Sequence, residues 1–161
     1  MSNQQQPAQV QEFSPASVRQ IEQHHELYRR DPAQAHLWDP IVIGVPGGPV
    51  PCLLLHFVGR KSGHKLDAIL QYYERDGQVA IVASKGGMPN DPVWYLNLLA
   101  NPQCEVQIGL QRYPARARTV TGEERARWWT QITREQPIQL EYQTRTSRCI
   151  PVVVLEKLGI E

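Results

Sequence analysis

Two short stretches of this sequence combine cationic side chains with glycines in a way that could hold an anion. In Gly59-Arg60-Lys61-Ser62-Gly63 the flanking glycines permit positive φ, so successive backbone N–H groups can converge on one negative group. Arg60 offers a planar, two-pronged donor to phosphate or carboxylate, Lys61 a point charge and Ser62 a hydroxyl. Ala83-Ser84-Lys85-Gly86-Gly87 repeats the pattern shortly before a helix expected to open at Asp91-Pro92, whose terminus could face the same anion. The competing reading is a pair of ordinary solvated turns. Neither stretch is a nucleotide motif by pattern, since GxxxxGK[ST] and GxGxxG are both absent. Trp94-Tyr95, just beyond the second stretch, could cover a planar ring whose anionic tail the loops hold; core packing would account for it equally well.

Other chemistries fail on spacing. There is no GxSxG nucleophile elbow. His24-His25-Glu26 lacks the i, i+4 interval that puts two ligands on one helical face, and with no CxxC pair a metal centre is not expected. His56 and His64 stand alone. Read by themselves, the residues point to an anion-binding site suited to a phosphorylated planar cofactor.

The elements that must carry these loops read as follows. Ser14-Pro15 is an N-cap followed by proline at the first helical position, and Val18, Ile21, His25 and Tyr28 give an apolar stripe to about Arg30. A helix laid on the core is favoured over a lid or a membrane-surface anchor, because the stripe is narrow and the polar face is mixed. Asp31 to Pro40 is a breaker region, Ile41-Val42-Ile43 a short strand, and Cys52 to Val58 a strand buried on both faces. Leu66 to Glu74 is its return strand, Arg75-Asp76-Gly77 a hairpin turn, and Gln78 to Ser84 the next strand. Asp91-Pro92 caps a helix over Val93 to Ala100, ended by Asn101-Pro102. Glu105–Gly109 and Arg112–Val120 form a second hairpin, and Thr121-Gly122-Glu123-Glu124 reads as a capping box opening a helix with Trp128, Trp129 and Ile132. A short helix follows Pro137, and Ile150 to Leu155 is the last strand. Hairpins rather than βαβ crossovers imply a mainly antiparallel sheet that closes to remove its edges, a small barrel with helices on its outside and across its openings.

Composition agrees with one such unit. The 161 residues suit a single domain, read here as a flexible tail over 1–13 and a barrel domain over 14–161. A net charge of +1, from 17 basic and 16 acidic residues, argues against a surface built for nucleic acid. No run approaches the roughly 20 apolar residues of a membrane span, and the Gln-rich start has no apolar signal core. The three cysteines, Cys52, Cys104 and Cys149, are odd in number and widely spaced, which points to reduced thiols and a cytoplasmic setting. The cations are 13 arginines and 4 lysines, with Lys61 and Lys85 in the two glycine-bounded loops.

At these residues the sequence resembles the deazaflavin-dependent nitroreductase family of actinobacteria, whose members are F420-dependent oxidoreductases and quinone reductases. The likeness runs from Gly59-Arg60-Lys61-Ser62-Gly63 through Ala83-Ser84-Lys85-Gly86 to the specific string Pro92-Val93-Trp94-Tyr95-Leu96-Asn97-Leu98-Leu99-Ala100-Asn101-Pro102. It continues through Ala115-Arg116-Ala117-Arg118, Gly122-Glu123-Glu124-Arg125-Ala126 and Ile150-Pro151-Val152-Val153-Val154. The resemblance implies an antiparallel split β-barrel of the FMN-binding type and the 8-hydroxy-5-deazaflavin coenzyme F420. It implies that Arg60, Lys61, Ser62 and Gly63 hold phosphate and the anionic tail. Ile69, Val82, Ala83, Ser84, Lys85, Gly86, Val93 and Trp94 would then follow the ring or phosphate. It implies hydride transfer to a small electron-poor acceptor such as a quinone or activated enone, with Ser84 polarising the reacting edge and Tyr142 donating a proton. It leaves room for peripheral membrane contact and for either a monomer or an oligomer.

The chain departs from the family pattern. GRKSGxxRxxPL is common, whereas here Leu66 replaces the arginine and Ile69 the proline; Lys65 adds a charge and Asp67 opposes it. Some members line the acceptor pocket with several tyrosines, but Gln136-Pro137-Ile138-Gln139-Leu140-Glu141-Tyr142 keeps one phenol. Two rival readings follow: an FMN-binding oxidoreductase on the same barrel, and a carrier that binds F420 or another ligand without turnover.

Overall fold

The strand Val50–Val58 (β2) organises the molecule, because both of its faces are covered. In the computed structural model, which describes residues 13–159, Leu53, Leu55 and Phe57 point into the barrel while Val50, Cys52 and Leu54 point out beneath the first helix. This alternation is the period-two geometry of a strand read on two buried faces. Preceding β2 are helices α1 (Pro15–Arg30) and α2 (Pro32–Ala35), a short strand β1 (Leu37–Trp38) and a 3-10 turn at Pro40–Ile43. After it come β3 (Lys65–Gln71), β4 (Tyr73–Arg75), β5 (Gln78–Val82), α3 (Val93–Ala100), β6 (Gln103–Ile108), β7 (Gln111–Thr119), α4 (Gly122–Glu135), α5 (Ile138–Thr144) and β8 (Val152–Lys157).

Every strand pairing is antiparallel, in the order β1-β2-β6-β7-β8-β5-β4, with β3 on the other side of β2. Since β3 runs into β4 through Tyr72, the two ends of the sheet are joined by the chain itself rather than by a ladder of hydrogen bonds. This seam is the split of a split barrel. Where a single return strand over Leu66–Glu74 was expected, Tyr72 breaks it: its amide bonds the Pro51 carbonyl (3.1 Å) and its hydroxyl meets His36 Nε2 (2.7 Å).

Three apolar clusters hold the sheet. Inside the barrel, Ile81, Ala83, Val106, Ala115 and Val153 pack with the β2 side chains, and Trp94, Tyr95 and Leu98 of α3 close one opening. On one outer face, Trp128 and Ile132 of α4 cover Ala80, Val152 and Val154. On another, Tyr28 of α1 covers Cys52 and Leu54. Each fully buried aliphatic or aromatic side chain contributes roughly 1.5–3 kcal/mol relative to exposure.

Several local expectations are corrected. Ile41-Val42-Ile43 is a 3-10 turn, because Asp39 accepts from the Ile41 amide (3.0 Å) and Gly44, at φ +86°, turns its amide back to Pro40 and Ile41. The strand lies instead at Leu37–Trp38, within the breaker region. Asp91 does not cap α3; Pro92 is the N-cap and the Asp91 carboxylate pairs with Arg148. The capping box does not form: Thr121 makes no side-chain cap bond, and the Glu124 carboxylate that would reach back is taken by Arg118 at 2.8 and 2.9 Å. In α1 it is His24, not His25, that is buried, stacked on Trp38 at 4.7 Å with Nε2 on the Ala35 carbonyl. His25 instead reaches Asp67 of β3 (2.8 Å), which Arg29 also grips. The Ser14 cap, α3 and the Asp76-Gly77 turn, with φ of +50° and +79°, form as read. The tail expected over 1–13 lies outside the described residues except for Phe13.

Candidate active site

The loop after β5 has an unusual backbone. Lys85, Gly86 and Gly87 adopt φ of +47°, +63° and +82° in succession, following Ser84 in the right-handed region. Lys85 carries the strain of a left-handed conformation that glycine would not feel. Gly87 allows no side chain, because a Cβ there would lie 2.6 Å from the Tyr142 carbonyl and 2.8 Å from the Arg145 Cβ. The loop is thus pressed onto α5.

Two arginines outside the expected site residues hold it there. Arg148 donates Nε to the Met88 carbonyl (3.0 Å), one terminal nitrogen to the Ala83 carbonyl (3.1 Å) and Asp91 Oδ1 (3.0 Å), and the other to the Ser84 carbonyl (2.8 Å). Arg145 donates to the Gly86 carbonyl (3.3 Å) and lies 5.3 Å over the Tyr142 ring. The planar fork of arginine, with five donors in fixed directions, can gather four acceptors at once, more than the three donors of a lysine allow.

This loop, the seam of the barrel and α5 enclose a cavity of about 270 Å³. Ile69, Val82, Ser84, Lys85, Gly86, Trp94 and Tyr142 line it, so seven of the expected site residues come together. Gln71, Tyr73 and Gln139 complete its polar wall. Ala83 sits behind the lining, fully buried, and Val93 is exposed on the first turn of α3. Tyr142 is buried; burial pushes its hydroxyl above the usual tyrosine range, with Arg145 opposing and Glu141 reinforcing, so it keeps its proton at neutral pH.

Arg60, Lys61, Ser62 and Gly63 do not line this cavity. They form a separate loop tied to α3, where Asn97 Oδ1 accepts from the Arg60 amide (2.8 Å) and guanidinium (3.1 Å). Ser62 Oγ accepts from the His64 amide (3.0 Å), and Gly63 sits at φ +75°. Asn97 follows Trp94 by three residues and shares its buried helix face, so one short helix touches both the cavity and the cationic loop.

A second, apolar cavity of about 160 Å³ adjoins the first, sharing Ile69, Leu70, Gln71, Gln139 and Tyr142. Its far wall is Ile21, His24 and Trp38 with Ile43 and Val45. Gln136 donates to Gln71 Oε1 (3.2 Å) at the border. Small-molecule sites commonly occupy about 300–1,000 Å³, a range the two cavities reach together.

The remaining candidates are structural. His56 bonds Gln107 (3.0 Å) on the sheet. Cys52 is buried and Cys104 half-buried, with burial pushing both thiols up to about 12, so these two are inert; Cys149 is exposed. Among the described residues no cluster of three metal-ligating side chains forms, and no helix is long and apolar enough to cross a membrane. The sequence signal that could have pointed to Arg145 and Arg148 is the excess of arginine over lysine; nothing marked Asn97 except its place inside the Trp94-to-Pro102 string.

Comparison with known proteins bears on this geometry. Residues 27–157 match the family described as F420H(2)-dependent quinone reductase. A quinone reductase of that description from Mycobacterium tuberculosis is 46% identical over 118 residues, covering 70% of this chain and 77% of its own. The solved structure of an F420-H2 dependent reductase superposes with a TM-score of 0.61 at 45% identity, over 66% of this chain and 94% of that one. A solved domain-swapped dimer matches at 37% identity and a TM-score of 0.64, over 89% of this chain and all of its own. The match is to quinone reductases rather than nitroreductases, which narrows the resemblance read from the sequence. The split-barrel architecture is as expected.

Proposed function

The chain belongs to the F420H(2)-dependent quinone reductase family, and from that membership we propose that its cavity beside Ser84 and Trp94 seats the head of coenzyme F420 while the adjoining apolar cavity takes the acceptor. When bound in reduced form, the deazaflavin supplies a hydride, two electrons on one hydrogen. The observation that carries the placement is the meeting of Ile69, Val82, Ser84, Lys85, Gly86, Trp94 and Tyr142 around one cavity, with the cationic loop bonded through Asn97 to the helix that bears Trp94.

The residues divide the work by chemistry. Trp94 offers an aromatic wall to a planar ring. Lys85 and the left-handed loop offer positive charge and backbone amides, and Arg148 keeps the carbonyls of Ala83 and Ser84 turned away from an anion. Arg60, Lys61, Ser62 and Gly63 meet the anionic tail. Ser84 hydrogen-bonds the reacting edge, and Tyr142, at the border of the two cavities and held protonated, gives the proton that completes reduction of a quinone to a hydroquinone. Orientation is the protein's main contribution, because hydride transfer needs donor and acceptor atoms in near contact with water excluded. The quinone and its reduction are the family's activity; the residue roles are this proposal.

Titration of the purified protein with F420 and, separately, FMN, followed by fluorescence, tests the reading. Saturable F420 binding is expected below about 100 μM, and Arg60→Ala with Lys61→Ala should weaken it by about 2–4 kcal/mol, or roughly 30- to 700-fold. Unchanged affinity in the double variant would move the tail elsewhere. Tighter binding of FMN than of F420 would favour the flavin reading. Binding with no oxidation of the reduced coenzyme by a panel of quinones and enones would leave a carrier.

A further inference from the structure

Gln71 stands on the wall of both cavities and carries a hydrogen-bond donor that no described residue takes. It ends β3, where its ladder partner is Cys52 of β2. Residues opposite one another in an antiparallel ladder share a face, and Cys52 lines the apolar cavity. The Gln71 side chain therefore leaves the strand on the side of that cavity, at its border with the larger one.

Its carboxamide is fixed through the oxygen. Gln136 donates Nε2 to Gln71 Oε1 (3.2 Å). Gln136 is itself 4% exposed and held by its main chain, its amide donating to the Ile132 carbonyl (2.7 Å) and its carbonyl accepting from the Gln139 amide (3.1 Å). A carboxamide whose oxygen is engaged turns its NH2 the other way. The Gln71 nitrogen bonds no described residue and is not sealed in, so it opens into the space the residue lines.

That place suits the reaction. Tyr142 lines the same two cavities and keeps its proton, so a phenol and a carboxamide offer two neutral donors at one border. When a quinone takes up a hydride, two electrons enter it and its carbonyl oxygen becomes negative; one proton then completes the hydroquinone. A donor already aimed at that oxygen stabilises the charge as it develops. An amide does not release its hydrogen, so Gln71 can hold the oxygen while Tyr142 protonates it.

We propose that Gln71 is a catalytic residue of quinone reduction, its amide N–H donating to the acceptor's carbonyl oxygen as hydride arrives, and that Gln136 is the positioning residue that keeps the amide turned that way. The assignment rests on the reading that the coenzyme head lies beside Ser84 and the acceptor in the apolar cavity.

The test compares steady-state reduction of 1,4-naphthoquinone by reduced F420 in the parent, Gln71→Leu, Gln71→Glu, Gln136→Leu and the double variant Gln71→Leu/Gln136→Leu. Gln71→Leu should lose about 10- to 100-fold in kcat, with the naphthoquinone KM and the F420 affinity little changed. Gln136→Leu should lose about two- to tenfold, and the double variant no more than Gln71→Leu alone. In Gln71→Glu an ionised carboxylate has no proton to donate, so activity relative to Gln71→Leu should rise as the pH falls and the carboxyl regains its O–H. A readout without coenzyme is the carbonyl stretch of 13C-labelled 1,4-naphthoquinone bound to the protein. Hydrogen bonding should lower it in the parent, and Gln71→Leu should return it toward its value in an aprotic solvent. Parent-like kcat in Gln71→Leu, additive losses in the double variant or an unmoved stretch overturns the assignment. A parallel loss of F420 affinity also overturns it, because Gln71 would then be a wall of the coenzyme cavity. Ile21→Trp separates this from the reading beneath it: narrowing the apolar cavity should raise the naphthoquinone KM severalfold and leave F420 affinity alone. A KM that does not move in Ile21→Trp removes the acceptor from that cavity, and the reading fails with the assignment.

Discussion

Replacing Arg148 with glutamine should loosen the whole wall formed by residues 83–91. The guanidinium serves three carbonyls and one carboxylate, at 2.8–3.1 Å, from a side chain only 16% exposed. A hydrogen bond to a charged group is worth about 1.5–3 kcal/mol alone, but four bonds from one side chain are not additive. Removing one member of a buried pair costs about 3–5 kcal/mol, and the Asp91 carboxylate, 30% exposed, recovers part of its hydration, so the lower end, about 3 kcal/mol, is expected. For a domain of this size that is a Tm lower by roughly 6–12 °C. Arg148→Lys keeps the charge but not the fork and should lose about half as much. Thermal unfolding gives the stability, and F420 titration of the folded variants gives the affinity, which should fall in the same order. A loss under about 1 kcal/mol in Arg148→Gln, with unchanged affinity, would mean that the left-handed loop stands unaided and would refute the reasoning.

Two glycine substitutions form a matched pair. Gly77→Ala, at φ +79° with no heavy atom near the new methyl, should cost about 1–2 kcal/mol. Gly87→Ala, at a similar φ but 2.6 Å from the Tyr142 carbonyl, should cost about 3 kcal/mol or more and weaken F420 binding as well; equal losses in urea unfolding would contradict the close approach. Asp67 carries a pH dependence. Burial raises its carboxyl, but Arg29 and His25 outweigh burial and hold it below the usual range. A depressed folded value means that the contribution is complete above about pH 4 and is lost as pH falls through that value. Asp67→Asn should therefore unfold at lower urea than the parent at pH 7, with the difference shrinking in acid; a constant difference down to pH 2 would refute it.

Much of the barrel was legible because its signals are local. The Asp76-Gly77 turn, the Ser14 cap and the run Cys52–Val58 each state their structure within a few residues. The departures lie where a side chain from another element, or a competing turn signal, overrides a local rule. Glu124 fits a capping box by spacing, but Arg118 from β7 offers two charged hydrogen bonds. Asp91 fits an N-cap, but Arg148 from 57 residues away takes its carboxylate. Ile41-Val42-Ile43 has the side chains of a strand, and the turn chemistry of Asp39-Pro40 and Gly44 decided otherwise. The same holds at the candidate site. Its glycine-bounded loops were visible as strings, whereas Asn97, Arg145, Tyr73 and Gln139 acquire meaning only when α3, α5 and β4 are brought together.

Tyr28 has a consequence for how the cavities can adapt. Its hydroxyl donates to the carbonyls of Cys52 and Gln107 and accepts from the Gly109 amide, tethering the second half of α1 to two strands and a hairpin turn. With Asp67 gripping His25 and Arg29 on the same half, that end of the helix is an anchored post. Toward the opposite end, Phe13 lines the cavity beside Ser84 and Ile21 lines the apolar one. On the proposed placement, attempts to broaden the range of acceptors should therefore vary Phe13 and Ile21 and leave His25, Tyr28 and Arg29 untouched.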